Sequence, residues 1–228
     1  MSEIARRHAA EAALAEVRDG MVLGLGTGRT AEAFVRLLAE RGLEVSGVPT
    51  SDATAKLATQ LGVPLVVPDE TTVLDLAIDG ADEADPRGTL IKGGGGALLR
   101  EKILATAAKR FVVIADASKG VRQLGAFPLP LEVERFAWGM TVARVRTVLA
   151  EQGHEGAKLT LRPGEAGGFA LTDGGNYVLD CALGRIGDAG ALDTALTLVP
   201  GVVTTGLFVG LADTIFYGTD DGASRQDV

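Results

Sequence analysis

The chain is predicted to be an α/β protein: a parallel-sheet main unit with crossover helices, and a smaller α+β unit set into it. Short β-rich apolar runs alternate with helical periodicities from residue 3 to residue 116, and such alternation builds a parallel sheet. The pattern changes after Phe127-Pro128-Leu129-Pro130. The 31 glycines among 228 residues, about twice the usual share, cluster at the junctions between runs, where they suit loops that approach something closely.

In chain order, Ile4, Ala9, Ala13, Leu14 and Val17 lie near helical spacing, so residues 3–17 read as an amphipathic helix. Residues 21–26 form a short apolar strand, 30–41 a helix, 43–49 an extended run. Residues 51–61 are helical, with Ser51 or Asp52 as N-cap. Strands follow at 64–67 and 73–79, then one ending at Lys92, a glycine tract leading into a helix, and a strand at 111–116. Beyond the prolines, the expected order is a strand at 131–136, a helix at 141–152, a hairpin around Asp173-Gly174-Gly175-Asn176 and a helix at 188–198. VVTTGLFVG and DTIFYG are strand-like runs expected to rejoin the main sheet. The boundaries expected are 1–129 with 202–228 for the main unit and 130–201 for the smaller one.

The composition, 46% hydrophobic and 23% charged, is that of a soluble globular protein. A net charge of −8 repels phosphate backbones, and 4% aromatics leaves little for base stacking, so no nucleic-acid partner is expected. A local basic pocket for a small anion stays open. Cys181 is the single cysteine, which excludes an intrachain disulfide and fits a reducing, cytoplasmic setting. The first twenty residues lack the apolar stretch of a signal peptide, and no apolar run reaches membrane-spanning length.

Three loops after strands carry the chemistry, since ligands of parallel sheets bind at the carboxyl ends of strands. GLGTGRTAEAF, residues 24–34, is a glycine turn opening a helix, a geometry that presents N–H groups to an anion. Thr27 and Thr30 add hydroxyls and Arg29 adds charge. A dinucleotide fingerprint needs a small residue where Arg29 stands, and the Walker lysine is absent, so a phosphate is favoured; a purely structural turn is the competing reading. LDLAIDGADEADP crowds Asp79, Asp82, Glu83 and Asp85 at the end of a strand, either as a solvated turn or as a site. Its spacing is not that of a calcium loop, and neither His8 nor His154 has metal-ligand spacing, so no metal is expected. In LIKGGGGALLREKI, Lys92 precedes Gly93, Gly94, Gly95 and Gly96. On the helix that follows, positions 97, 98, 101, 104, 105 and 108 share one face, and Glu101 is its one ionisable residue. Such a carboxylate is either paired to a cation or desolvated and raised in pKa, which suits a general base.

GLGTGRTA, PTSDATAKLA, DLAIDGADE, KGGGGALLREKI, FVVIADASK and PGVVTTGLF occur in this order, and with them the chain resembles the ribose-5-phosphate isomerase A family over nearly its whole length. The resemblance implies an aldose–ketose isomerase interconverting D-ribose 5-phosphate and D-ribulose 5-phosphate in the pentose phosphate pathway, without a cofactor. It implies a Rossmann-like main domain with a small ferredoxin-like one, and a homodimer or homotetramer. Its functional blocks fall on Thr27, Gly28, Arg29 and Thr30; on Asp79, Gly80, Ala81 and Asp82; on Lys92, Gly93, Gly94 and Gly95; and on Glu101 and Lys119. In the family the glutamate accepts the proton. Asp79, Asp82 and Lys92 are the other expected catalytic groups, and the rest are expected to bind substrate. Arg29 departs from the family's frequent serine, and Arg6 is the nearest match to a lysine near the family's N-terminus. A sugar-phosphate effector domain of a regulator, a coenzyme A transferase and a nicotinamide dehydrogenase are the rival readings.

Overall fold

The computed structural model describes residues 2–164 and 167–228. Helix α1 (Glu3–Leu14) is capped by the Ser2 hydroxyl and packs a small-residue face, Ala5, Ala9, Ala10 and Ala13, onto the sheet. Then come β1 (Val22–Leu25), α2 (Arg29–Arg41), β2 (Ser46–Pro49) and α3 (Asp52–Gln60), the last capped by the Ser51 hydroxyl. They are followed by β3 (Leu76–Asp79), β4 (Glu83–Ala84), β5 (Leu90–Ile91), α4 (Leu98–Ala107) and β6 (Phe111–Asp116). The chain continues through β7 (Leu129–Val133), α5 (Trp138–Glu151), β8 (Lys158–Leu161), β9 (Tyr177–Ala182) and α6 (Ala189–Thr197). It closes with β10 (Val202–Thr205), β11 (Leu207–Phe208), β12 (Thr214–Thr219) and β13 (Gly222–Asp227).

The main sheet has the order β13-β12-β6-β3-β1-β2, parallel except for β13. One face is buried by α1 and α2 through Ala9, Ala13, Phe34, Val35 and Leu38. The other carries Ala77, Phe111, Val113 and Ile215 against Ala105 and Phe208. The segment β7-α5-β8-β9-α6-β10 forms an antiparallel sheet of order β10-β7-β9-β8, the split β-α-β arrangement of ferredoxin-like units. Val145, Leu149, Leu192 and Leu196 of its helices pack with Leu131, Val133 and Leu179 of its strands. A third, small sheet, β11-β5-β4, pairs the segment just after β10 with two short strands between β3 and α4.

Four expectations are corrected. Residues 64–67 form no strand: the Pro64 carbonyl accepts from the Gly47 N–H and the Val66 N–H donates to the Gly47 carbonyl, which makes a single bridge at Leu65, and Val67 is already exposed. The strand expected at 131–136 runs from Leu129 to Val133, through Pro130, and Phe136 is exposed. VVTTGLFVG does not rejoin the main sheet: Val202–Thr205 pairs with β7 and Leu207–Phe208 with β5, so only β12 returns. The opening helix ends at Leu14 rather than residue 17. Strands β8 and β13 carry weak sequence signals: β8 is only four residues with half-buried Leu159 and Leu161, and β13 is polar, as suits the edges of their sheets.

Gly218 on β12 sets how closely α1 approaches the sheet, since an added methyl would overlap the Ala5 carbonyl. Gly218→Ala is expected to lower stability by roughly 1–3 kcal/mol. Gly139→Ala, in α5 with open space around the new methyl, is expected to be neutral or to gain up to about 1 kcal/mol. Thermal unfolding of both variants checks the pair.

Candidate active site

The connections from β1 and from β3 leave toward opposite edges of the main sheet. This is the switch point at which parallel sheets open a crevice. Here Gly26 meets Asp79. An added methyl at Gly26 would overlap the Asp79 carboxyl group, so only glycine lets the two strand ends come together. Asp79 Oδ1 accepts from the Thr27 N–H at 3.1 Å and the Gly80 N–H at 2.6 Å, tying both loops to one carboxylate.

A cavity of about 420 Å³ opens above. At one end, α2 starts at Gly28, whose φ of 102° suits glycine and which offers no side-chain cap. A helix N-terminus without a side-chain cap is a geometry that suits an anion. Arg29, Thr30, Lys119 and Arg6 of α1 line the same end. Arg29 is exposed. The Thr27 hydroxyl is turned into a cluster with Thr50, Ser51 and Thr54, at 2.7, 2.8 and 3.2 Å, so it braces the loop against α3.

At the other end lie Gly80, Ala81, Asp82, Lys92, Gly93, Gly94, Gly95 and Glu101. Lys92 follows β5, and its N–H donates to the Gly206 carbonyl at 2.8 Å. Its ammonium donates to the Gly80 carbonyl at 2.6 Å. It lies 3.1 Å from Asp79 Oδ2 and 3.3 Å from Glu101 Oε2, yet neither oxygen receives a directed hydrogen bond among the described residues. All three side chains are buried. Glu101 lies on the buried stripe of α4 with Leu98, Leu104 and Ala105.

Two buried carboxylates and one ammonium make a net charge of −1 unless a proton is kept. Burial first, then the neighbouring Asp79 charge, pushes Glu101 up to about 8, against the pull of Lys92. Burial also raises Asp79, against Lys92. Burial works against the Lys92 ammonium, but Asp79 and Glu101 together hold it above its ordinary value. The arrangement is therefore a charged lysine beside a carboxyl pair that holds a proton more firmly than free carboxylates do. Phe208, fully buried, lies with its ring centroid 5.5 Å from Lys92 Nζ and shields the group from water.

The acidic turn does not act as one cluster. Glu83 turns away to accept from the Gly125 and Phe127 N–H groups at 2.7 and 2.6 Å. That seats Phe127 at the cavity wall, where Lys119 lies over its ring. Asp85 accepts from the N–H groups of Arg87 and Thr89. Asp82 alone of these three lines the cavity, its Oδ2 held by the Gly94 N–H at 2.8 Å. Every site residue expected from sequence lines the cavity except Asp79, which lies beneath it. Phe127 carried no sequence signal, because no local pattern marks a residue whose part depends on a distant glutamate.

A buried carboxyl pushed up to about 8, a lysine beside it and a cavity reaching the N-terminus of α2 suit an enzyme that moves protons on a small anionic substrate. The family model of ribose 5-phosphate isomerase A (phosphoriboisomerase A) matches residues 46–222. The ribose-5-phosphate isomerase A of Agrobacterium fabrum is 55% identical over 218 residues, 94% of each chain. The solved ribose 5-phosphate isomerase A of Methanocaldococcus jannaschii is 38% identical, with a TM-score of 0.91 over 100% of both chains. A D-ribose-5-phosphate isomerase solved with phospho-erythronic acid is 37% identical, with a TM-score of 0.92 over 100% of both. The chain belongs to the ribose 5-phosphate isomerase A family. That membership favours the isomerase over the effector-domain, transferase and dehydrogenase readings.

The raised Glu101 carboxyl has a stability consequence. Its folded value near 8 lies above the ordinary 4.5, so between these values the folded state holds a proton that the unfolded state has released. The group's contribution to stability is present below about 4.5 and is lost as pH rises through about 8. Urea unfolding of the parent and Glu101→Gln at about pH 6 and about pH 9 is expected to show the parent losing more stability than the variant over that rise.

Proposed function

We propose that the chain interconverts D-ribose 5-phosphate and D-ribulose 5-phosphate by moving a proton between C2 and C1 of the open-chain sugar through an enediolate. The observation that carries this is Glu101, buried, raised to about 8 and facing the cavity beside Lys92. The reaction is an internal redox exchange. C1 is reduced as C2 is oxidised within one molecule, so no electron acceptor enters the balance.

Ionised Glu101 takes the C2 proton and returns it to C1, while the O2 hydroxyl proton passes to O1, so that the aldehyde becomes a hydroxyl and the C2 hydroxyl a ketone. The Lys92 ammonium faces the oxygen on which negative charge develops, in a dry site where a preformed charge acts strongly. Asp82 holds sugar hydroxyls at the cavity side. Asp79 binds the two loops from below, and its charge helps raise Glu101. The phosphate lies at the start of α2 with Arg6, Arg29, Thr30 and Lys119 around it, and its binding energy orients the sugar. The relative solved with phospho-erythronic acid supports a phosphorylated sugar chain as the occupant. The same proposal places the enzyme in the pentose phosphate pathway and in the cytoplasm, with the one cysteine, Cys181, a buried free thiol as a reducing compartment allows. It includes a homodimer or homotetramer, which the exposed Phe136 and Met140 at the start of α5 support.

Incubation with ribose 5-phosphate in D2O is expected to yield ketose with solvent deuterium at carbon. Glu101→Gln is expected to lower kcat by roughly 10²–10⁴-fold with little change in KM. Isomerisation by that variant at the parent rate overturns the assignment. In the parent, log kcat/KM is expected to rise with pH up to about 8 as Glu101 ionises, above the roughly pH 6 step of the substrate's own phosphate.

A further inference from the structure

Of four successive glycines, Gly93 to Gly96, the first three border the cavity, and glycine gives a chain no side chain with which to hold its peptide planes. The hold comes from the antiparallel sheet. Arg162 directly follows β8, and its backbone is pinned on both sides. Its N–H donates to the Val178 carbonyl at 2.8 Å, and its carbonyl accepts from the Ala170 N–H at 2.8 Å. Its guanidinium grips Asp180 of β9 with two hydrogen bonds, Nε to Oδ2 at 3.0 Å and Nη2 to Oδ1 at 2.6 Å. The remaining nitrogen, Nη1, donates to the Gly93 carbonyl at 2.9 Å and the Gly94 carbonyl at 3.0 Å. The fork geometry of arginine is what allows one side chain to meet both a carboxylate and two carbonyls.

We propose that Arg162 is a positioning residue for the isomerisation. Locked by Asp180, it turns two carbonyls of the glycine tract away from the cavity and so aims the N–H groups of Gly94 and Gly95 into the site. The inference rests on the isomerase reading above. A trans peptide is planar, with its C=O and N–H pointing opposite ways. The peptide whose carbonyl is Gly93's has the Gly94 N–H on its other edge, and that N–H holds Asp82 at 2.8 Å. The next peptide gives its Gly94 carbonyl to Arg162, so the Gly95 N–H points away from the guanidinium. Gly95 lines the cavity, where that N–H meets the oxygens of a bound sugar. A cation on the carbonyl also polarises each peptide and makes its N–H a better donor. Preorganised donors of this kind act on the transition state more than on the ground state. The arginine touches neither substrate nor Glu101, and it acts through the two peptides.

Arg162→Lys keeps a positive charge but loses the fork, and Asp180→Asn keeps the arginine but loosens its lock. The measurements are steady-state isomerisation, inhibition by a hydroxamate analogue of the enediolate, inhibition by inorganic phosphate, and thermal unfolding. Arg162→Lys is expected to lower kcat roughly 10- to 100-fold and to weaken analogue inhibition by a similar factor. KM and phosphate inhibition are expected to stay within about 3-fold. Asp180→Asn is expected to move the same quantities in the same direction by less, and it supplies the reading should Arg162→Lys not fold. A folded variant with kcat and analogue inhibition within about 2-fold of the parent overturns the proposal, and so does a loss of phosphate inhibition as large as that of analogue inhibition. An inactive parent would remove the isomerase reading itself, whereas an active parent with a parent-like Arg162→Lys removes this inference alone.

Discussion

Everything at the site depends on one constraint: Asp79, Lys92 and Glu101 are buried together, two potential negative charges around one positive. A dry site does not accept an uncompensated charge. The least costly state keeps a proton on the carboxyl pair while the lysine stays charged, and burial raises both carboxyls above their ordinary range. The raised proton affinity of the pair is thus a consequence of how the three groups are enclosed. Phe208 on one side and the α4 stripe of Leu98, Leu104 and Ala105 on the other keep water away.

The three groups arrive from three elements: the end of β3, the residue after β5 and the first turn of α4. Missing side chains are what let these elements meet. Gly26 makes room for Asp79, and an added methyl at Gly206 would overlap the Lys92 carbonyl. Each removes a constraint that a hydrogen bond then restores, from Thr27 and Gly80 to Asp79 and from Lys92 to Gly206. The antiparallel sheet is joined to the same region. Arg100 of α4 contacts both Asp52 of α3 and Asp173 of the hairpin, while Arg162 holds the glycine tract. Movement of that sheet would therefore be felt at the glycine peptides that precede α4 and Glu101.

Much of this was readable along the chain. The inward face of α4 with Glu101 as its one ionisable member follows from helical spacing, and the capping Ser51 from local chemistry. The glycine turn at Gly28 and the lysine before Gly93 mark two loops that the structure brings to one cavity. The pairing of residues 202–205 depended on a partner far along the chain. Residues 202–205 have the same strand-like composition whether they join the main sheet or β7, and composition cannot choose between two edges. Asp79, Asp82, Glu83 and Asp85 look alike as a run of carboxylates, yet one lies under the cavity, one lines it and two serve loops elsewhere.

By itself, the sequence determined the alternation of strands and helices, the loops at strand ends and the identity of the chemistry-bearing side chains, because periodicity, capping and glycine tolerance are local properties of the chain. Only the tertiary structure decided that Glu101 and Asp79 share one lysine, that Thr27 spends its hydroxyl on the neighbouring loop, and that Arg162 reaches the glycine tract. The reason is that burial and proximity set both a carboxyl's proton affinity and the use of a side chain, and these are sums over neighbours brought in from distant parts of the sequence.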